Sequence, residues 1–191
     1  MLQKPKTGAQ ITLGRKSGSA AILKRITGLG KLAAYVGVPA DEAGRTGALT
    51  KLAGNATGKR AKKLRDLVLK GAGAVNNAEL LFIHTKGSPL RKIPARPVLQ
   101  PAVEADGNKQ AIAAELASSM KASIAGDHEL AVKRMRRVAL TGQNAARRWF
   151  TDPRNAWAPN APSTIKAKGS NRPLIDTGAL RNAIVGIVEE E

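Results

Sequence analysis

The sequence predicts an α+β fold, a small and mostly antiparallel sheet packed against two long helices. Three observations lead there. Gln110–Ile124 repeats Ile112, Leu116, Met120 and Ile124 every four residues, the spacing of one helix face. Glu129–Phe150 places Ala131, Met135, Val138, Gly142, Ala145 and Trp149 on a single stripe, which predicts a second and longer helix. Lys31–Val38 alternates Leu32, Ala34, Val36 and Val38 before Pro39, the period of a strand.

The remaining elements follow in chain order. Residues 1–20 are rich in Gly, Lys, Ser and Thr without a sustained period and read as a basic arm. Ala20–Thr27 is a short helix stopped by Gly28 and Gly30. The arm and short helix make a first unit, 1–30, ahead of one α+β domain over 31–191. Residues 40–75 are a Gly/Lys-rich insertion into that domain, with Gly58–Lys70 helical by pattern. Asn76–Thr85 reads as a strand apolar on both faces, hence central in the sheet. Ser88–Pro101 contains four prolines and is expected to be extended and stiff. The stripe of Glu129–Phe150 holds small residues, which predicts close approach of a neighbouring element. Ala156–Lys168 reads as irregular, with Trp157 plugging the core edge. Arg172–Gly178 is a turn region, Leu180–Val188 the final strand, and Glu189–Glu191 an acidic tail.

Composition bounds the function. The 191 residues carry 32 Lys+Arg against 14 Asp+Glu, a net charge of +18. Leu, Ile, Val and Phe total 42, so a core is possible but thin, and 33 alanines make up much of the other apolar content. No cysteine is present, which excludes disulfides and thiolate metal sites. The two histidines, His84 and His128, stand too far apart for a metal-binding helix motif. No apolar run is long enough to cross a bilayer, and no membrane partner is expected. Residues 1–75 hold 15 Lys+Arg and 3 Asp+Glu, the neutral middle 76–130 six of each, and 131–191 eleven and five. Basic flanks around a neutral centre suit a surface that faces a polyanion. Two clusters stand out, Lys59-Arg60-Lys62-Lys63-Arg65, and Lys133-Arg134-Arg136-Arg137 with Arg147-Arg148. Neither alternates with aromatics, so phosphate contact is favoured over base stacking.

No catalytic constellation is visible, and the chain is not expected to be an enzyme or to need a cofactor. Leu174-Ile175-Asp176-Thr177-Gly178-Ala179 resembles the active-site string of retroviral-type aspartic proteases. Only 13 residues follow Gly178, too few for the flap and strands such an enzyme builds after its aspartate. A turn role fits better, with Asp176 accepting backbone N–H groups and Gly178 supplying a free φ. Gly54-Asn55-Ala56-Thr57-Gly58-Lys59 has neither the preceding strand nor the Ser/Thr of a phosphate loop. His84 travels with no acid or nucleophile and reads as a strand-end polar residue.

Two stretches carry a family resemblance. Asn77–Val103 contains a turn glycine and then Ile93-Pro94-Ala95-Arg96-Pro97. It resembles a segment of the neck and tail-completion proteins of long-tailed bacteriophages. Trp157–Val188 contains Ser163-Thr164-Ile165, Lys168-Gly169-Ser170 and Arg172-Pro173-Leu174-Ile175-Asp176-Thr177-Gly178. It is similar to the C-terminal half of the virion morphogenesis family of Mu-like phages. The chain departs at His84-Thr85-Lys86-Gly87, where the families have Glu-Phe-Gly, and at Val98, where they have an aromatic.

The resemblance implies a non-enzymatic virion protein, made in the host bacterial cytoplasm. It would form a homo-oligomeric ring, six-fold, at the head–tail joint or the top of the tail. Its neighbours would be proteins such as the tail terminator, the connector or stopper, and the tail tube. Pro94, Arg96, Pro97, Asp176, Thr177 and Gly178 would be structural or interface residues. The charge cluster itself, since residues 40–75 have no counterpart in those families, suggests that Lys59, Arg60, Lys62, Lys63 and Arg65 face packaged DNA without reading its sequence. The competing class is a basic, non-sequence-specific nucleic-acid-binding protein that acts without a ring.

Overall fold

The computed structural model describes residues 16–39, 58, 62 and 75–190. Helix α1 (Lys16–Leu29) leads into strand β1 (Leu32–Gly37). Helices α2 (Asn77–Lys86), α3 (Leu99–Glu104), α4 (Asn108–Ala125) and α5 (His128–Trp149) follow. A 3-10 turn (Pro153–Asn155), helix α6 (Pro162–Lys168), helix α7 (Ala179–Ala183) and strand β2 (Val185–Glu190) complete the described chain. The fold is α+β, and its sheet is the antiparallel pair β1–β2, from Leu32 opposite Glu190 to Gly37 opposite Val185.

The long helix α5 organises the molecule. Asp127 caps it by accepting the Leu130 N–H at 2.9 Å, and its apolar stripe is buried from Ala131 to Trp149. One end of the stripe meets Leu81, Val98, Ala102, Leu180 and Ile184. The other end sits under the sheet, where Met135 and Val138 meet Leu32. The small residues expected to allow close approach do so. A Cβ on Gly142 would lie 2.7 Å from Val36 Cγ2 of β1, and a Cβ on Gly186 would collide with the Ala139 backbone of α5. The Gln143 side chain fastens the contact by accepting the Gly186 N–H at 2.8 Å.

Asn76–Thr85 is the main correction, since it forms helix α2 and no central strand. Asn76 and Glu79 make a capping box: Asn76 Oδ1 accepts the Glu79 N–H at 2.8 Å, and Glu79 Oε2 accepts the Asn76 N–H at 3.0 Å. An Asn three residues before a Glu is a legible helix start, and Ala78-Glu79-Leu80-Leu81 are all good helix formers. Leu180–Ala183 is also helical, so the final strand begins only at Val185 and runs on into the acidic segment. Within Ser88–Pro101 the chain first turns back, pairing Ser88 with Ile93, has no regular structure over 94–98, and becomes helical at Leu99. Ala156–Lys168 is irregular only until α6 begins at Pro162.

Helix α4 forms, but of its expected stripe only Ile112 packs inward, against the Leu32–Met135–Val138 cluster. Leu116, Met120 and Ile124 are about two-fifths exposed, whereas Ser119, Ala122 and Ser123 are buried against α5 and α1. Small polar residues allow the close crossing: Ser119 Oγ donates to the Ala131 carbonyl at 2.7 Å. The short helix expected over Ala20–Thr27 extends over Lys16–Leu29 and packs on α4. Arg25 Nη1 donates to the Ile124 carbonyl at 2.9 Å, and its own carbonyl accepts from Ser123 Oγ. The guanidinium thus neutralises the C-terminal end of α4. Residues 1–15 and the insertion, apart from Gly58, Lys62 and Val75, lie outside the described residues. Among the described residues no helix is long and apolar enough to cross a membrane.

Candidate functional site

The two stretches that carry the family resemblance meet at one end of α5. Helix α2 ends when Gly87 donates its N–H to Ile83 O at 2.7 Å. Gly87 has φ +72°, and a Cβ there would lie 2.8 Å from Ala95 N and 2.9 Å from Ile93 O. Only glycine lets the returning 93–95 segment pass so closely. The Arg96 N–H then donates to His84 O at 2.6 Å, which orients the Arg96 side chain inward between Pro94 and Pro97.

Arg96 is buried, and backbone carbonyls accept its hydrogen bonds. Nε donates to Ala158 O at 3.2 Å, and Nη2 donates to Ala158 O at 2.8 Å and Pro159 O at 3.1 Å. Burial pushes the guanidinium pKa below its ordinary value. A second bond joins the same segments, from Trp157 Nε1 to Pro97 O at 3.2 Å. Trp157 packs its ring edge-on to Phe150 at 5.9 Å, the core-edge position expected for it.

The second stretch closes against the first through α7, which packs on α2. Gly178 takes φ +85°, the free φ expected of it. Thr177 Oγ1 accepts the Ala179 N–H at 3.2 Å just before the next helix. Thr177 is buried and Asp176 is exposed. Between the two stretches lies a cavity of about 730 Å³, lined in part by Arg91, Lys92, Arg96, Asn160, Lys168 and Asp176. Lys92 and Leu174, also on its wall, have φ values of +53° and +56°, a region non-glycine residues seldom occupy. The Asn160 side chain is buried, and its Nδ2 has no hydrogen-bond partner.

The structure therefore brings Pro94, Arg96 and Asp176 together on the wall of one cavity, while Pro97, Thr177 and Gly178 do not line it. Of the first basic cluster, Lys62 is helical and exposed, while Lys59, Arg60, Lys63 and Arg65 lie outside the described residues. The second cluster is divided by its contacts. Arg134 and Arg137 both pair with Glu115 on α4, at 3.6 and 3.1 Å. Arg147 donates to Ile184 O and Asn182 O, each at 2.9 Å, and so anchors the α7–β2 junction to α5. Lys133, Arg136 and Arg148 stay exposed.

Sequence reasoning missed Arg25 and Asn160, and it placed Arg147 in a basic cluster without its anchoring contacts. Arg147 carried a helix-end signal, a cation in the last turn of α5. Asn160, between Pro159 and Ala161 in an irregular segment, carried none. Among the described residues no group of three His, Asp or Glu side chains could hold a metal ion. No family model, curated protein or solved structure matches the chain.

Proposed function

We propose that the chain is a structural virion subunit that assembles into a ring at the head–tail joint or the top of a phage tail. The observation that carries this reading is the Arg96 clamp. Two stretches with the same family resemblance, 62 positions apart at Arg96 and Ala158, are tied by three hydrogen bonds from one buried side chain. The residues behind the resemblance thereby have a scaffolding role, and no catalytic role is assigned to them. The exposed Leu116, Met120 and Ile124 add support, because a thin core with an uncovered apolar edge suits a subunit stabilised by its neighbours. In this reading the ring is six-fold, sits among terminator, stopper and tail-tube proteins, and contacts packaged DNA through Lys59–Arg65.

Sedimentation velocity and negative-stain electron microscopy of the purified protein test it. Closed rings that form with rising protein concentration support the proposal. A protein that stays monomeric, yet binds duplex DNA with a steep salt dependence, overturns it in favour of a basic nucleic-acid-binding protein.

A further inference from the structure

The cavity between the two stretches is cationic and chemically incomplete. Arg91, Lys92, Arg96 and Lys168 line it against one acid, Asp176. Arg96 is buried yet has no carboxylate partner among the described residues, and its three hydrogen bonds leave Nη1 without an acceptor there. Asn160 presents a buried donor without a partner. Arg91 and Lys92 are exposed at the rim and make no ion pair among the described residues. A buried cation with only neutral acceptors, beside an unsatisfied amide donor, is a site that an incoming carboxylate would complete.

The apolar part of the wall restricts what can enter. Leu80, Ile93, Pro94, Leu174 and Leu180 make up much of it, which suits a segment bearing both apolar and acidic side chains. A DNA backbone offers no such apolar partner. The chain has one run of three acids, Glu189–Glu191, and it directly follows Gly186-Ile187-Val188. Glu189 and Glu190 are exposed, make no ion pair among the described residues, and pair with Ala33 and Leu32 at the end of β2 remote from α7. The strand runs about 20 Å over its six residues, so its acidic end cannot reach its own cavity while β2 stays paired.

We infer that the cavity receives the acidic end of β2 from a second copy of the chain, giving a head-to-tail contact between unlike surfaces. Repetition of such a contact closes a ring when the rotation between copies permits. The inference rests on the assembly reading and names its interface.

Two charge-reversal variants test it. Arg91→Glu with Lys92→Glu spoils the cavity rim and leaves the acidic end intact. Glu189→Lys with Glu190→Lys does the reverse. All four positions are exposed, and circular dichroism with thermal melting checks that both variants fold as the wild type does. Sedimentation velocity should show each variant alone assembling at least tenfold more weakly than wild type. An equimolar mixture should recover association, because the intact acidic end of one variant meets the intact rim of the other and the reversed basic end meets the reversed acidic rim. Variants that assemble as wild type does, or a mixture that stays unassociated, overturn the interface while leaving the assembly reading intact. A wild-type chain that is monomeric at every concentration overturns both.

Discussion

Arg96 Nη2 and the Ala158 carbonyl oxygen lie 2.8 Å apart across 62 positions of sequence, with Arg96 Nε donating to the same oxygen at 3.2 Å. The pair ties the proline-stiffened 94–98 segment to the loop after α5. Arg96→Lys retains the charge but loses the planar fork. Since hydrogen bonds to charged groups contribute about 1.5–3 kcal/mol each, we expect a loss of roughly 2 kcal/mol in urea unfolding. An unchanged midpoint would show that the clamp contributes no stability.

Gly186→Ala should destabilise more than Gly142→Ala. The new methyl at 186 meets the Ala139 backbone, which cannot rotate away, whereas the one at 142 meets the Val36 side chain. Overpacking costs about 1–3 kcal/mol, and in mid-helix the Gly-to-Ala gain of about 1 kcal/mol offsets part of it at 142 only. Adding Val36→Ala should recover some of the Gly142→Ala loss and none of the Gly186→Ala loss. Chemical denaturation of the three single and two double variants checks this order.

Asn77 is fully buried, and neither atom of its amide has a hydrogen-bond partner. Truncation to Ala removes packing but also an unsatisfied amide, whose burial costs about 1–3 kcal/mol. The two effects oppose, so Asn77→Ala should change stability by less than about 1 kcal/mol. A loss well above that in thermal or urea unfolding would mean that the amide is bonded in solution.

Asp152 gives a pH dependence with a definite sign. Hydrogen bonds from the Arg154 side chain and backbone hold its carboxyl at about 2, below the ordinary 3.8. A depressed folded-state pKa stabilises the fold above the unfolded value. That contribution starts to fall below pH 4 and is lost as pH drops through 2. Asp152→Asn should lower stability at neutral pH, flatten the acid limb in this window, and match the wild type below pH 2. Side-chain carboxyl NMR titration should find Asp152 among the last groups to protonate.

Much of the fold was legible where local pattern and burial agree. The stripe of α5 is unambiguous because its alanines, glycine and large residues all fall on one face. Strand β1 alternates cleanly up to Pro39. The turn glycine at Gly178 was legible because a positive φ is a local demand. Asn76–Thr85 misled because a run apolar on every side has no decisive period, and the deciding signal was the Asn76–Glu79 cap at its edge. The stripe of α4 was read correctly as helical, and its exposure was not legible, since periodicity reports a face without saying what covers it.

The sequence by itself determined the helices α4 and α5, the first strand, the bounds on core size, and the large positive charge. These follow from residue types at short range, where propensity, capping and period act. Only the tertiary structure decided which cations are engaged and which face a cavity. Arg147 is bound to Ile184 O and Asn182 O, and Arg134 and Arg137 share Glu115, while Arg91 and Lys92 stay exposed beside the buried Arg96. The physical reason is distance: a guanidinium is bound or available according to the acceptors that folding brings within about 3 Å. The acceptors of Arg96 and Arg147 come from tens of positions away in sequence, beyond the reach of any local pattern.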